Sequence, residues 1–316
     1  MPTNSMKGGV LVVDKPAGPT SFAVVERVRR ALCARKAGHT GTLDPLATGV
    51  LAICLDEAVK LQQWITETDK GYDALVVFGF ATDTEDTEGR EVERGDPAGL
   101  TSERVAAALA GFVGEIDQIP PMYSAVRVGG RRLHEAARAG EEVERAPRRV
   151  VVHALDLLAF EPPAGGLARA RIAVRCGKGT YVRTLATSLG MALGVPAHLG
   201  ALRRTVSGPF SIGQALTLDQ VESLARSAPS ELAARIIRPA DALPGFPAVP
   251  VSAVEAMALA QGKVLGREPP GPLCRAIDEA GNLVAICAPT EDGKALRPLR
   301  VFVQTPGIAG ADPGKR

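Results

Sequence analysis

Residues 38–50, Gly-His-Thr-Gly-Thr-Leu-Asp-Pro-Leu-Ala-Thr-Gly-Val, gather one carboxylate, one imidazole and three hydroxyls into a segment with three glycines and a proline. Hydrophobic packing does not call for that mixture. Glycine permits unusual backbone angles and close approach. Pro45 fixes its own φ and drives Asp44 toward an extended conformation. A single carboxylate on a stiffened loop, that of Asp44, suits nucleophilic chemistry. The same residue types also build ordinary surface turns, and the segment alone leaves both readings open.

The flanking sequence supplies elements to hold this loop. Residues 9–13 read as a short buried strand, ended by Asp14-Lys15-Pro16-Ala17-Gly18. Thr20 or Ser21 can cap a helix carrying Val24, Val25, Val28 and Leu32 on one side. The Arg27, Arg29, Arg30, Arg35 and Lys36 cluster suits the negative end of that helix and directly precedes the loop. Residues 50–54 read as a strand and 56–66 as a helix holding the single Trp, Trp64, as a core residue. Lys70-Gly71-Tyr72 opens a strand over 74–80, followed by an acidic hairpin tip at 82–89. Residues 101–112 form a helix capped by Thr101. An irregular basic segment begins at Gln118 and runs through Arg131 and Arg132, and long loops of this kind are usually functional or disordered. Residues 169–176 alternate as a strand, with Ile172, Val174 and Cys176 on one face and Arg169, Arg171 and Arg175 on the other. Residues 179–183 enter a helix stopped by Gly194 and Pro196. Beyond Pro247, a short helix at 251–261 and strand-like runs at 273–277, 283–288 and 299–303 suggest a small β-rich second domain.

The 316-residue chain is long enough for a well-buried core and two domains. Its five cysteines are scattered, with no C-x-x-C pair, which argues against a zinc site or a disulfide framework. The first nine residues lack an apolar signal-peptide core, and no stretch is apolar over a bilayer-spanning length. Net charge is only +2, but it is unevenly placed. From Arg127 to Arg204 there are 13 Arg and one Lys against six acidic residues; from Thr82 to Asp96 there are seven acidic residues against two Arg. A basic middle beside an acidic hairpin points to a face for a polyanion. An arginine-rich solvated surface gives the same counts.

The run Gly38 to Gly49 resembles the catalytic motif of the TruB-type tRNA pseudouridine synthases, which isomerise uridine 55 in the T-loop of tRNA. Asp44 falls on the nucleophilic aspartate of that family. Other motifs follow in the family's order: Asp14-Lys15-Pro16 with Thr20-Ser21, Lys70-Gly71-Tyr72, Gln118 to Ala125, Lys178 to Leu185, Ala201-Leu202-Arg203-Arg204-Thr205, and Arg297 to Phe302. Departures occur at Gly177, at Thr187-Ser188 and at Ala52, where the family usually carries Ser, an acidic pair and Pro.

The resemblance implies an α+β fold, with a mixed, mainly antiparallel central sheet flanked by helices and a small β-rich PUA-like domain. It implies a catalytic domain over residues 1–245 with a basic RNA-gripping insertion at about 118–145, a PUA-like RNA-binding domain over 246–304 and a disordered tail over 305–316. Asp44, Tyr72 and Arg183 become the catalytic set. Arg183 pairs with Asp44, and Tyr72 stacks on the flipped uracil and could relay a proton. His39, Tyr181, Leu202, Lys178 and Lys15 become substrate contacts, and Arg127, Arg131 and Arg132 grip the T-arm. No cofactor, metal, membrane or protein partner is implied; the expected agent is a cytoplasmic monomer whose partner is tRNA. Two other readings compete: an RNA-binding chaperone without catalysis, and a guide-RNA-directed synthase acting on ribosomal RNA. The Asp44, Tyr72 and Arg183 set argues against the first, and the long basic segment after Gln118 argues against the second.

Overall fold

The computed structural model describes residues 8–124, 127–128, 131–133, 141 and 143–302. A ten-stranded mixed sheet forms its centre. Eight strands run across it: β1 (Gly9–Lys15), β2 (Thr48–Leu55), β3 (Lys70–Phe78), β4 (Gly114–Gln118), β5 (Arg148–Ala164), β6 (Leu167–Cys176), β7 (Ala197–Ser207) and β8 (Leu216–Thr217). Their spatial order is β8-β1-β2-β7-β3-β6-β5-β4. Pairings are antiparallel except for β1 with β8 and β2 with β7. The short strands Ala37–His39 and Phe210–Ser211 attach to β2 and β7.

Alternation decides which side chains face the core. In β6, Ala168, Ala170, Ile172, Val174 and Cys176 are buried, as its period-two pattern predicts. They pack with Val76 and Phe78 of β3 against two helices, α2 (Ser102–Ala110) and α3 (Val182–Leu193). Strands β1 and β2 are almost continuously apolar because both of their faces are covered. Leu11, Val13, Leu51 and Ile53 pack against α1 (Ser21–Ala31) and α4 (Leu218–Ser227). Val10, Val12, Val50 and Ala52 share a core with Ile65, Leu283 and Ile286.

Local signals set the helix ends. The Thr20 hydroxyl accepts from Ala23 N at 3.1 Å to cap α1, and Thr101 caps α2 by accepting from Arg104 N. Gly194 closes α3 with φ +71°, a left-handed angle that glycine adopts without a Cβ penalty. The C-terminal part is a four-stranded sheet, Ala248–Pro250, Cys274–Ile277, Leu283–Pro289 and Leu296–Val301, beside the helix Ala253–Ala260. It is joined to the ten-stranded sheet through the shared core and through Lys60, whose Nζ donates to Val301 O at 2.9 Å. The expected α+β architecture with a small β-rich C-terminal part is present.

The basic middle is only in part a free face. Within the Arg-rich middle, Arg171 pairs with Asp73, Arg169 with Glu161 and Arg203 with Asp14, while Arg183 and Arg204 are buried. Much of that positive charge is neutralised within the chain. Arg127–Val128 and Arg131–Arg132 form a two-stranded hairpin whose backbone is described; their side chains, and the tail at 305–316, lie outside the described residues. Among the described residues, no helix is long and apolar enough to cross a membrane.

Candidate active site

The segment 40–48 connects the strand Ala37–His39 to β2, and its carbonyls are tied from two sides. Beneath it lies Lys15, fully buried at the end of β1. The Lys15 ammonium donates to Pro16 O, Pro45 O and Ala47 O at 3.0, 3.1 and 2.7 Å. From β7, the fully buried Arg204 donates through Nε to Val50 O at 2.7 Å and through Nη2 to Gly41 O at 2.9 Å. The Ser21 hydroxyl bridges both polar backbone atoms of Leu43 at 2.8 Å, and Gly18 N donates to Pro45 O. Gly49 has φ +99°, and a Cβ there would lie 2.2 Å from Arg204 O. Only glycine lets β2 come this close to β7.

Asp44 projects from this tethered loop toward α3. Arg183 Nε lies 3.1 Å from Asp44 Oδ2, and Arg183 Nη1 lies 3.6 Å from Asp86 Oδ2. Nη1 also donates to Thr84 O at 3.0 Å, and Nη2 donates to Tyr123 O at 2.7 Å. Side-chain exposure separates the two carboxylates: 39% for Asp44 against 5% for Asp86, with 6% for Arg183. Asp86 is closed in by Thr84 Oγ1 at 2.6 Å and Glu88 N at 3.1 Å. Asp44 is therefore the carboxylate of the network open to a substrate.

Burial raises the Asp44 pKa above the ordinary carboxylate value; Arg183 opposes this, Asp86 adds to it and Lys15 opposes it. Of these influences, burial outweighs the arginine. Arg183 is no spare surface residue, because an arginine buried to this degree needs its charge matched.

The other expected site residues fall into different places. Tyr72 sits on β3, directly across from Arg204 on β7 and Val174 on β6. Burial raises its phenol pKa further, with Arg204 opposing. The phenolate is thus rarer than in water, which favours a stacking or proton-donating ring over a base. His39 has its pKa lowered by burial and by Arg204. Its Nδ1 accepts from Gly41 N at 3.4 Å, which puts the ring proton of the neutral form on Nε2. Leu202 packs with Tyr72 against the core of the catalytic sheet. Tyr181 is the N-cap of α3, and its backbone N and O are both held by the buried Gln118 amide, at 3.0 and 3.2 Å.

One placement corrects the sequence reading. Lys15 is a fastener under the loop rather than a substrate contact, since its ammonium is buried and bonded to three carbonyls. Lys178 is exposed, paired at the surface with Glu67. Asp86 and Arg204 were not singled out by sequence. Asp86 lies in an acidic run that reads as a solvated hairpin tip, and Arg204 beside Arg203 reads as surface charge.

The same chain was compared with known proteins. Residues 29–182 match the TruB family pseudouridylate synthase (N terminal domain), residues 183–243 the tRNA pseudouridylate synthase B C-terminal domain, and residues 246–303 the tRNA Pseudouridine synthase II, C terminal. The tRNA pseudouridine synthase B of Saccharophagus degradans is 40% identical over 306 residues, covering 94% of this chain and 96% of that protein. Its counterpart from Symbiobacterium thermophilum is 52% identical over 244 residues, covering 77% and 78%. Among solved structures, a chain in a Cbf5-Nop10-Gar1 complex aligns with TM-score 0.70 and 27% identity, over 93% of this chain and 85% of that one. A chain in an H/ACA RNP bound to a substrate RNA containing 2′-deoxyuridine aligns with TM-score 0.70 and 26% identity, over 95% and 86%. Sheet order, site and alignments together define a pseudouridine synthase, an isomerase. Within that class the chain belongs to the TruB family of tRNA pseudouridine synthases.

Proposed function

We propose that the protein converts uridine 55 in the T-loop of tRNA to pseudouridine, with Asp44 as the nucleophile. The observation that carries this reading is the Asp44–Arg183 pair: a guanidinium 6% exposed aligns a carboxylate that is itself open. In the isomerisation the N1–C1′ bond breaks, the base turns, and C5 joins C1′. The proton at C5 is lost and N1 ends protonated, so no oxidant, reductant or external atom enters the balance. One ionised carboxylate suffices because the leaving base is retained and reattached, unlike glycoside hydrolysis, which uses two.

The target base must leave its stack, at a cost of a few kcal/mol. Stacking on Tyr72 returns about 1–3 kcal/mol, and Leu202 fills space the base vacates. His39 and Tyr181 border the base, and phosphate contacts from Arg127, Arg131 and Arg132 contribute the remainder. Residues 1–245 serve as the catalytic unit, and 246–304 as a PUA-like unit that holds tRNA. Arg204 and Lys15 act through the loop that they tether.

The test is site mapping. Unmodified tRNA is incubated with the protein, and pseudouridine is located by carbodiimide labelling and primer extension. The reading requires a stop at position 55 that disappears when the substrate carries cytidine there. A folded protein that binds tRNA yet leaves no stop would favour the chaperone reading.

A further inference from the structure

The turn facing Arg183 contains a residue whose backbone is out of keeping with its type. Glu85 has φ +65°, a left-handed angle that glycine and asparagine adopt far more readily than glutamate. Such an outlier persists where its surroundings over-determine it, and it directs attention to function. Here the surroundings are specific. Glu85 O accepts from Leu199 N at 3.0 Å, and Glu85 Oε2 accepts from the Thr184 hydroxyl at 2.8 Å. Its neighbours on either side also touch the same helical turn: Thr84 O accepts from Arg183 Nη1, and Asp86 faces that same nitrogen.

The helix on the other side of this contact is missing something. The N-cap of α3, Tyr181, makes no side-chain cap hydrogen bond, and its first turn holds no acidic residue. Helix N-termini favour both a capping acceptor and negative charge. The carboxylate of Glu85, bonded to Thr184 in the first turn, supplies that charge from the neighbouring turn.

We propose that Glu85 is a positioning residue for the reaction: its carboxylate ties the first turn of α3 to the Asp86 turn and so sets Arg183 against Asp44. This rests on the catalytic reading of Asp44 and Arg183. A purely structural turn would be better served by glycine, whereas a tether needs the carboxylate.

Glu85→Gly separates the two possibilities, because it relieves the left-handed angle while removing the side chain. The variant keeps a melting temperature equal to or above that of the parent, and tRNA affinity is unchanged. Its kcat falls by about 10- to 100-fold, the penalty for small misplacements of reacting groups. Glu85→Gln, which still accepts from Thr184, recovers most of the loss. Thr184→Val reproduces the Glu85→Gly loss, and the double variant is no worse than either single. Parental kcat in Glu85→Gly, or fully additive losses in the double variant, would overturn the proposal. A crystal structure of Glu85→Gly reads the same claim without turnover: the Arg183 Nε to Asp44 Oδ2 contact opens beyond hydrogen-bond range, and an unchanged contact would overturn the proposal. An inactive parent protein would count against the catalytic reading alone, with the crystal structure still deciding this one.

Discussion

Arg183 and Asp44 meet at 3.1 Å with opposite relations to solvent, the arginine closed and the aspartate open. The same arginine reaches a second carboxylate, Asp86, and two backbone carbonyls. Each of its three nitrogens therefore has a partner before a substrate arrives. That preorganisation makes the pair sensitive to shape as well as charge. Arg183→Lys keeps the charge but loses the fork. We expect kcat to fall by about 10²- to 10³-fold with tRNA affinity little changed, measured by single-turnover tritium release from 5-tritiated uridine tRNA.

Asp86 acts on Asp44 through charge. Its carboxylate helps raise the Asp44 pKa, so Asp86→Asn removes part of that upward push. With Asp44 as the proposed nucleophile, the acid limb of kcat/KM follows its ionisation in the free enzyme and should move to lower pH in this variant. In the parent protein the limb should lie above the ordinary aspartate value of 3.8, because burial is the leading influence. A limb that stays put in Asp86→Asn would separate the two carboxylates energetically.

Lys15 offers a test of the loop tether. Lys15→Met fits the volume but takes the ammonium donor from Pro16 O and Ala47 O, while Pro45 O keeps Gly18 N; each carbonyl left unpaired costs about 1–3 kcal/mol. Burial lowers the Lys15 pKa to about 8 from 10.5. The folded state then releases its proton before the unfolded state does, so this group adds stability as pH rises from 8 toward 10.5. Urea denaturation at pH 7 and pH 9.5 should show a smaller gain with pH in Lys15→Met than in the parent. Lys70, lowered to about 8 by its own burial, keeps a residual slope of the same sign in the variant.

Gly49→Ala probes the seam between β2 and β7. The added Cβ meets Arg204 O at 2.2 Å, at a left-handed φ. We expect a loss of about 1–3 kcal/mol from overpacking, read as a lowered denaturation midpoint, with activity falling alongside as Arg204 shifts from the loop.

Much of this was legible in the sequence, and the reasons differ by residue. Asp44 stood out through the match of the whole run Gly38 to Gly49 to the TruB-type motif, because the same residue types also build ordinary turns. Alternation placed β6 correctly, and Thr20, Thr101 and Gly194 marked helix ends by their capping chemistry. What stayed hidden was long-range pairing. Asp86 sits among seven acidic residues, and only its approach to Arg183, 97 positions away in sequence, distinguishes it. Arg204 lies on a strand with few apolar residues, where an inward-facing arginine contradicts the alternation rule. The strand itself is bent by register shifts at Leu199/Ala201 and Arg204/Val206, and such bulges erase the period-two signal. Lys15 was placed among the substrate contacts by the resemblance, and only the structure shows it buried and bonded to three carbonyls. The basic middle was counted correctly, but a count does not reveal that Asp14, Asp73 and Glu161 are the partners.

The central claim is that the Asp44 carboxylate performs the chemistry. The most direct measurement is single-turnover tritium release from 5-tritiated uridine tRNA by the parent protein and by Asp44→Asn, with tRNA affinity measured on the same samples. The account predicts release from the parent, a loss of at least about 10⁴-fold in the variant, and equal affinity in both. Release from Asp44→Asn at a rate near that of the parent would contradict it.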